Sequence, residues 1–351
     1  PKNEEDWNKE FDAWSKENPE LRKMWDAWQN GEATTAYAEV NFGAEDKMAT
    51  RAAGGKVLNA MAQAYTNLVG GSADLAGPNK TDLKNCDGVY TPTNRIGRTI
   101  EYGIREFAMS AVCSGMSLHG GLRPFCATFL VFSDYLRPQM RVASLMKQPL
   151  IYIFTHDSIY VGEDGPTHQP IEHLASLRAM PGVQVLRPGD AQETELCWKI
   201  AMASKDHPVC IVLTRQDLQG YAKADANWTK SAENGAYVCL DTDGESDVTI
   251  LASGSEVSMA VEAAKICGKK VRVVSVYDVK AFCNLSKDAQ KTIIGSTKRV
   301  VACEAGVSTE WLQFVSSKED CFCIDRFGES GPAGKVAEHM HFTAKDLAKI
   351  L

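Results

Sequence analysis

Leu150–Pro170 reads LIYIFTHDSIYVGEDGPTHQP, and its change of character at Thr155 organises the reading of the whole chain. The opening six residues form an uninterrupted apolar run and predict a strand, Leu150–Thr155. The rest is polar, with two histidines, acids, prolines and glycines and no apolar period. In open α/β sheets, loops at the carboxyl ends of strands are where ligands bind, so this loop is a candidate site rather than an ordinary capped turn. The loop would bring His156 and His168 together. Hydrogen bonding to a polar substrate suits this pair better than metal ligation, since no third His or Cys stands at a suitable spacing.

Outward from that strand, helical and apolar segments alternate, the pattern of a parallel sheet flanked by helices. Further strands are expected at Val183–Leu186 and Val209–Thr214, with helices at Met48–Thr66, Ile104–Leu118, Phe132–Met146, Ile171–Met180 and Glu193–Ala203. A polar stretch after Arg215, QDLQGYAKADANWTKSAENG, breaks this rhythm. Beyond it a second α/β unit is expected, with strands Val248–Ala252, Val271–Val276, Val300–Cys303 and Cys321–Ile324 and a last helix capped by Thr343 and Asp346. The fold class is therefore α/β in two domains, each a mostly parallel sheet flanked by helices, at residues 47–222 and 235–351. Residues 1–46 carry Trp7, Phe11, Trp14, Leu21, Met24, Trp25 and Trp28 at helical spacing, which predicts two amphipathic helices of a linker packed on a neighbour.

Bulk properties narrow the function. No apolar run is long enough to span a bilayer, and the acidic start PKNEEDWNKEFDAW is unlike a secretory signal, which points to a cytoplasmic setting without membrane contact. Eleven scattered cysteines with no C-x-x-C pair suit reduced, mostly buried thiols. A formal charge of −7 without basic clusters argues against a nucleic-acid partner. Any anionic substrate must be held by local basic residues.

Three other segments stand out. RTIEYGIREFAMSAVCSGMSLHGG, Arg98–Gly121, places Glu106 at the start of an apolar helix, where the helix dipole alone would favour an acid. In TFLVFSDYL, Phe129, Phe132 and Tyr135 lie three apart, close to one helical stripe, which is core unless context makes it a pocket. GGSADLAGPN, Gly70–Asn79, is a glycine-containing loop after a short apolar segment.

Taken together, GGSADL, YGIREFAM, TFLVFSDY, THDSIYVGEDGPTHQP and LTRQDL, in this order, resemble the transketolase family over nearly the whole chain. The resemblance implies a thiamine-diphosphate-dependent transferase that moves two-carbon ketol units between sugar phosphates in the pentose phosphate pathway. It implies that Phe129, Phe132 and Tyr135 form the pocket for the aminopyrimidine ring and that Glu106 shares a proton with a ring nitrogen. Asp74 would lie near the thiazolium. His168 would hydrogen-bond the substrate near its reacting carbonyl, with Asp164 on an adjacent hydroxyl. Arg51, Arg215 and His156 match the residues that hold the substrate's phosphate, for which two guanidinium forks are well suited.

This sequence departs from the family in three places. Pro78 stands where a phosphate-contacting serine is common, so either phosphate affinity is lower or Asn79 substitutes; Tyr160 replaces a usual glycine and would narrow the substrate channel. The family's G-D-G motif, which with a later Asn binds the diphosphate through a divalent metal (Mg or Ca), does not occur. The resemblance therefore predicts a fragment or split subunit that binds no metal itself, is inactive alone, requires a diphosphate-binding domain or chain, and pairs as a homodimer. Rival readings are dihydroxyacetone synthase, the β-subunit of a 2-oxoacid dehydrogenase decarboxylase, and a non-catalytic scaffold. The run GEDGPTHQP with Arg51 and Arg215 favours transketolase over the decarboxylase.

Overall fold

The computed structural model describes residues 2–351. Its first half contains strands β1 (Lys47–Met48), β2 (Leu68–Ser72), β3 (Arg123–Phe129), β4 (Ile151–Thr155), β5 (Gln184–Leu186), β6 (Val209–Val212) and β7 (Leu218–Gln219). Its second half contains β8 (Tyr237–Leu240), β9 (Val248–Ala252), β10 (Val271–Ser275), β11 (Val300–Glu304) and β12 (Cys321–Cys323). The first sheet has the order β2-β3-β4-β6-β5, with every neighbouring pair parallel. The second has the order β12-β11-β9-β10-β8 and is parallel except for β8, which runs antiparallel to β10. A short antiparallel ribbon joins β1 to β7.

Side-chain alternation explains why both faces of the first sheet are covered. In β4, Ile151 and Ile153 enter one core with Val57, Leu58, Phe125 and Trp198, while Tyr152 and Phe154 enter another with Met109, Leu136 and Met140. The helices Thr50–Ala64 and Ala191–Ala203 supply the first layer; Glu106–His119 and Ser133–Leu145 supply the second. A strand apolar on both faces has no alternation of polarity to show, which is why β4 reads as a continuous apolar run.

Five strands lay outside the expectations from sequence: β1, β2, β3, β7 and β8. In β2 the cause is packing. A Cβ on Gly70 would lie 2.0 Å from the Phe125 carbonyl oxygen, and one on Gly71 2.0 Å from that of Ile100. Neighbouring backbone therefore demands glycine where strand propensity would favour branched residues. The aromatic triplet also differs from one helical stripe. Phe129 closes β3, Phe132 ends a single 3₁₀ turn, and Tyr135 lies in the following helix.

The leader folds as helices Lys2–Glu17 and Pro19–Asn30, neither with a buried residue. Their aromatics cover one another: Phe11 stacks on Trp7 and Trp14 at 4.8 and 5.6 Å, and the Arg22 guanidinium sits 4.7 Å from the Phe11 ring. Among the described residues, no helix is long and apolar enough to cross a membrane.

Candidate functional site

The carboxyl ends of β2, β3, β4 and β6 open onto one edge of the first sheet, and each delivers part of the candidate site. After β4 the chain turns sharply at His156, whose φ of 61° lies in the left-handed region. That turn buries the imidazole to 4% exposure and stacks it on Phe129, with ring centroids 3.6 Å apart. Phe129 stacks in turn on Phe132 at 5.9 Å, and His168 meets Phe132 edge-on at 5.4 Å. The two histidines of the polar loop thus converge on one pair of rings. Tyr135 extends the aromatic step, 6.1 Å from Phe132, and is 64% exposed.

Hydrogen bonding fixes which nitrogen of His156 carries the proton. Thr155 Oγ1 donates to Asn79 Oδ1 at 2.6 Å, which leaves its lone pairs for His156 Nδ1 at 2.7 Å. Nδ1 is then the donor, and Nε2 presents a lone pair to Arg51 Nη1 at 3.4 Å. Burial first, then the charges of Arg51, Arg215 and His168, push the His156 pKa down to about 3, so the ring is neutral at pH 7. The chain of bonds continues behind it. Asn79 Nδ2 donates to Ser72 Oγ at 3.0 Å, and Ser72 shares a 2.6 Å hydroxyl contact with Thr81. Sequence reasoning missed Thr155, Ser72 and Thr81 because lone hydroxyls carry no spacing signal. It also left Asn79 open as a phosphate ligand, whereas Asn79 is buried with its amide committed to Thr155 and Ser72.

Arg51 lies in the first turn of the helix Thr50–Ala64, and its Nη1 donates to the Pro78 carbonyl at 2.9 Å. Burial and the neighbouring Arg215 lower its pKa, with Asp217 acting in the opposite direction. Two guanidinium groups that repel one another beside a neutral imidazole form a site short of negative charge. Asp74, at φ 61°, is exposed and lines a cavity of about 540 Å³ with Ser72, Thr99, Glu101 and Arg105. Asp164 is exposed on the polar loop.

Glu106 opens the helix Glu106–His119, which packs against β3 and against the helix Ser133–Leu145 that carries Tyr135. It is 8% exposed, and none of the described residues donates a hydrogen bond to its carboxylate. Its carboxylate oxygens reach solvent rather than being sealed in the core, so they are open to a ligand. The aromatic step offers a surface for a planar ring.

Tyr160 does not narrow the mouth of the site. Its ring is half-buried and points away from the site, and its hydroxyl donates to the Phe342 carbonyl at 3.1 Å, against an apolar cluster of Ile159, Ile171, Ile324, Val336 and Phe342 that joins the two sheet units.

Cations stand beside aromatic surface at the carboxyl edge of a parallel sheet, an arrangement in an α/β fold that suits an anionic ligand with a planar part. The chain belongs to the transketolase family: residues 46–220 match the transketolase pyrimidine-binding domain and residues 235–343 the transketolase-like C-terminal domain. A transketolase of Treponema pallidum is 48% identical over 99% of this chain and 53% of its own length. The chain therefore spans about half the length of the curated relatives it matches. A Pichia stipitis transketolase, solved as a complex with sedoheptulose 7-phosphate, superposes with a TM-score of 0.91 at 33% identity, covering 99% of this chain and 52% of that one. A split-gene transketolase described as an inactive β4 tetramer superposes with a TM-score of 0.67 at 26% identity, covering 87% of this chain and 97% of that one.

Proposed function

We propose that this chain carries the pyrimidine-binding half of a transketolase active site, with residues 47–222 as the pyrimidine domain and residues 235–351 as the C-terminal domain. The reaction is transfer of a two-carbon ketol unit from a ketose phosphate to an aldose phosphate, as in the pentose phosphate pathway. The observation that carries this reading is Glu106, largely buried but with a solvent-reaching carboxylate that no described residue binds, on a helix packed against the strand and helix that bear Phe129 and Tyr135. Thiamine diphosphate, when bound, would supply the nucleophilic carbon and the electron sink that ketol transfer requires.

Glu106 holds a proton against a ring nitrogen of the aminopyrimidine, and Phe129, Phe132 and Tyr135 hold that ring flat. Asp74 lies toward the thiazolium side. Arg51 and Arg215 grip the substrate's phosphate dianion, which relieves their mutual repulsion. His156 braces Arg51 through its Nε2 lone pair, a contact of 3.4 Å. His168 and Asp164 hydrogen-bond the sugar near its carbonyl. The diphosphate and its divalent metal are held by a domain or chain outside this sequence, a view favoured by the half-length match to relatives.

The exposed apolar residues Ile104, Phe107, Val112, Val142 and Leu145, on or beside the helices Glu106–His119 and Ser133–Leu145, form the contact with a second copy of the chain. All eleven cysteines are free thiols, which suits a cytoplasmic setting.

The test is ketol transfer from xylulose 5-phosphate to ribose 5-phosphate with thiamine diphosphate and Mg²⁺, using the chain alone and with a transketolase diphosphate-domain chain added. We expect no turnover alone, turnover on addition, and a loss on the order of a hundredfold or more in Glu106→Ala. Full activity of the isolated chain would overturn the half-site reading.

A further inference from the structure

The polar loop carrying His156 and His168 is held from behind by the C-terminal unit at several points, and the strongest is a buried charge network beginning at Asp157. Arg187 is fully buried and sits just beyond β5, in the pyrimidine-binding unit. Its Nε and Nη2 donate to Asp157 Oδ2 at 2.9 and 2.8 Å. Its Nη1 donates to the Ser253 carbonyl at 2.7 Å and to Glu256 at 2.5 Å, both in the C-terminal unit. A second buried arginine, Arg178, grips Glu304 of β11 with a two-pronged pair of 2.8 Å bonds. At the far end of the loop, Gln169 Nε2 donates to Gly162 and Glu329 carbonyls at 3.0 and 2.9 Å, and a Cβ on Gly165 would lie 2.2 Å from Ser330 Oγ.

We propose that Arg187 is a positioning residue: by tying Asp157 to Ser253 and Glu256, it lets the C-terminal domain hold the left-handed turn at His156 and so set the phosphate-facing geometry of Arg51. This rests on the proposed function above. Two facts separate it from ordinary domain packing. Asp157 follows directly on the residue whose ring braces Arg51, and the turn between them is one that a non-glycine residue keeps only when its surroundings enforce it. Arg187 touches no residue assigned to substrate or cofactor, so its effect must pass through Asp157.

The decisive variant is Arg187→Lys, which keeps the charge and loses the fork; Asp157→Asn serves as a second variant should the first not fold. In the full chain, the His156 ring signal followed by NMR is expected to be flat from pH 5 to 8 in the wild type. In either variant it should titrate within that window as the ring is released. In the reconstituted enzyme, KM for ribose 5-phosphate should rise on the order of ten- to a hundredfold while KM for unphosphorylated ribose changes little. A folded variant whose His156 remains flat, or whose two KM values rise together, would overturn the proposal. If no ketol transfer is found with any substrate, the function falls, and the NMR measurement still decides the positioning.

Discussion

His156 shows how one backbone angle and one hydrogen bond set a side chain's chemistry. Its φ of 61° turns the ring back onto Phe129, and Thr155 claims Nδ1, so the face toward Arg51 is a lone pair rather than a proton. With a folded-state pKa of about 3 against an ordinary value of 6.5, the folded chain binds fewer protons than the unfolded chain between those limits. The stability from keeping this ring neutral is therefore complete above pH 6.5 and lost as the pH falls toward 3. His156→Asn keeps a residue that tolerates left-handed backbone and has nothing to titrate. Between pH 6.5 and 4 we expect this variant to lose less stability than the wild type, by on the order of a few kcal/mol, in denaturant unfolding. Parallel pH profiles for the two proteins would contradict the assignment of a neutral ring.

Among elements, the helix Ala191–Ala203 carries a cap that reaches across the chain. Asp190 accepts from the Glu193 amide at 2.9 Å, an ordinary N-cap. The Glu193 carboxylate instead takes the Gly189 amide and, at 2.6 Å, the hydroxyl of Ser275 in β10, so the start of this helix is bonded to the second sheet. Complete burial, followed by the charge of Asp190, raises its pKa to about 7. Here the sign is reversed: the folded chain binds the extra proton, so this contribution is full below about pH 4.5 and disappears as the pH rises through 7. Glu193→Gln should remove that decline, so the variant's thermal stability relative to the wild type should grow steadily from pH 5 to 8. An unchanged slope would place the titration elsewhere.

The same scale shows what sequence could reveal. β4 and the second sheet's β9 and β11 were legible because strands buried on both faces are apolar throughout. β2 was not, because Gly70 and Gly71 answer to the carbonyls of Phe125 and Ile100, which approach only after the sheet forms. The loop motif marked His156 and His168 as chemistry, whereas Glu106 gained a role only through the family resemblance. Nothing in their spacing marked Arg187, whose partners Asp157, Ser253 and Glu256 lie 30, 66 and 69 residues away.

At the scale of the whole molecule, the apolar surface and the partnerless acid belong together. Phe107 is 52% exposed one residue from Glu106, and Leu145, at the end of the helix that carries Tyr135, is 67% exposed. Single exposed apolar side chains are ordinary, but a run of them across two packed helices beside a carboxylate that no described residue binds marks a surface made to be covered. A second copy meeting this face would close the pyrimidine side of the site and exclude water from Glu106 at the same contact. Replacing Val112 and Leu145 together by arginine leaves both cores untouched, since neither residue is in them. Burying two unpaired cations in an interface should cost several kcal/mol and convert dimer to monomer in sedimentation while the helical signal persists. The same variant should also lose ketol transfer in the reconstituted mixture, because the site would be left open on its Glu106 side. A dimer that survives both arginines would move the interface to another surface and leave Glu106 to be covered by the diphosphate-binding partner alone.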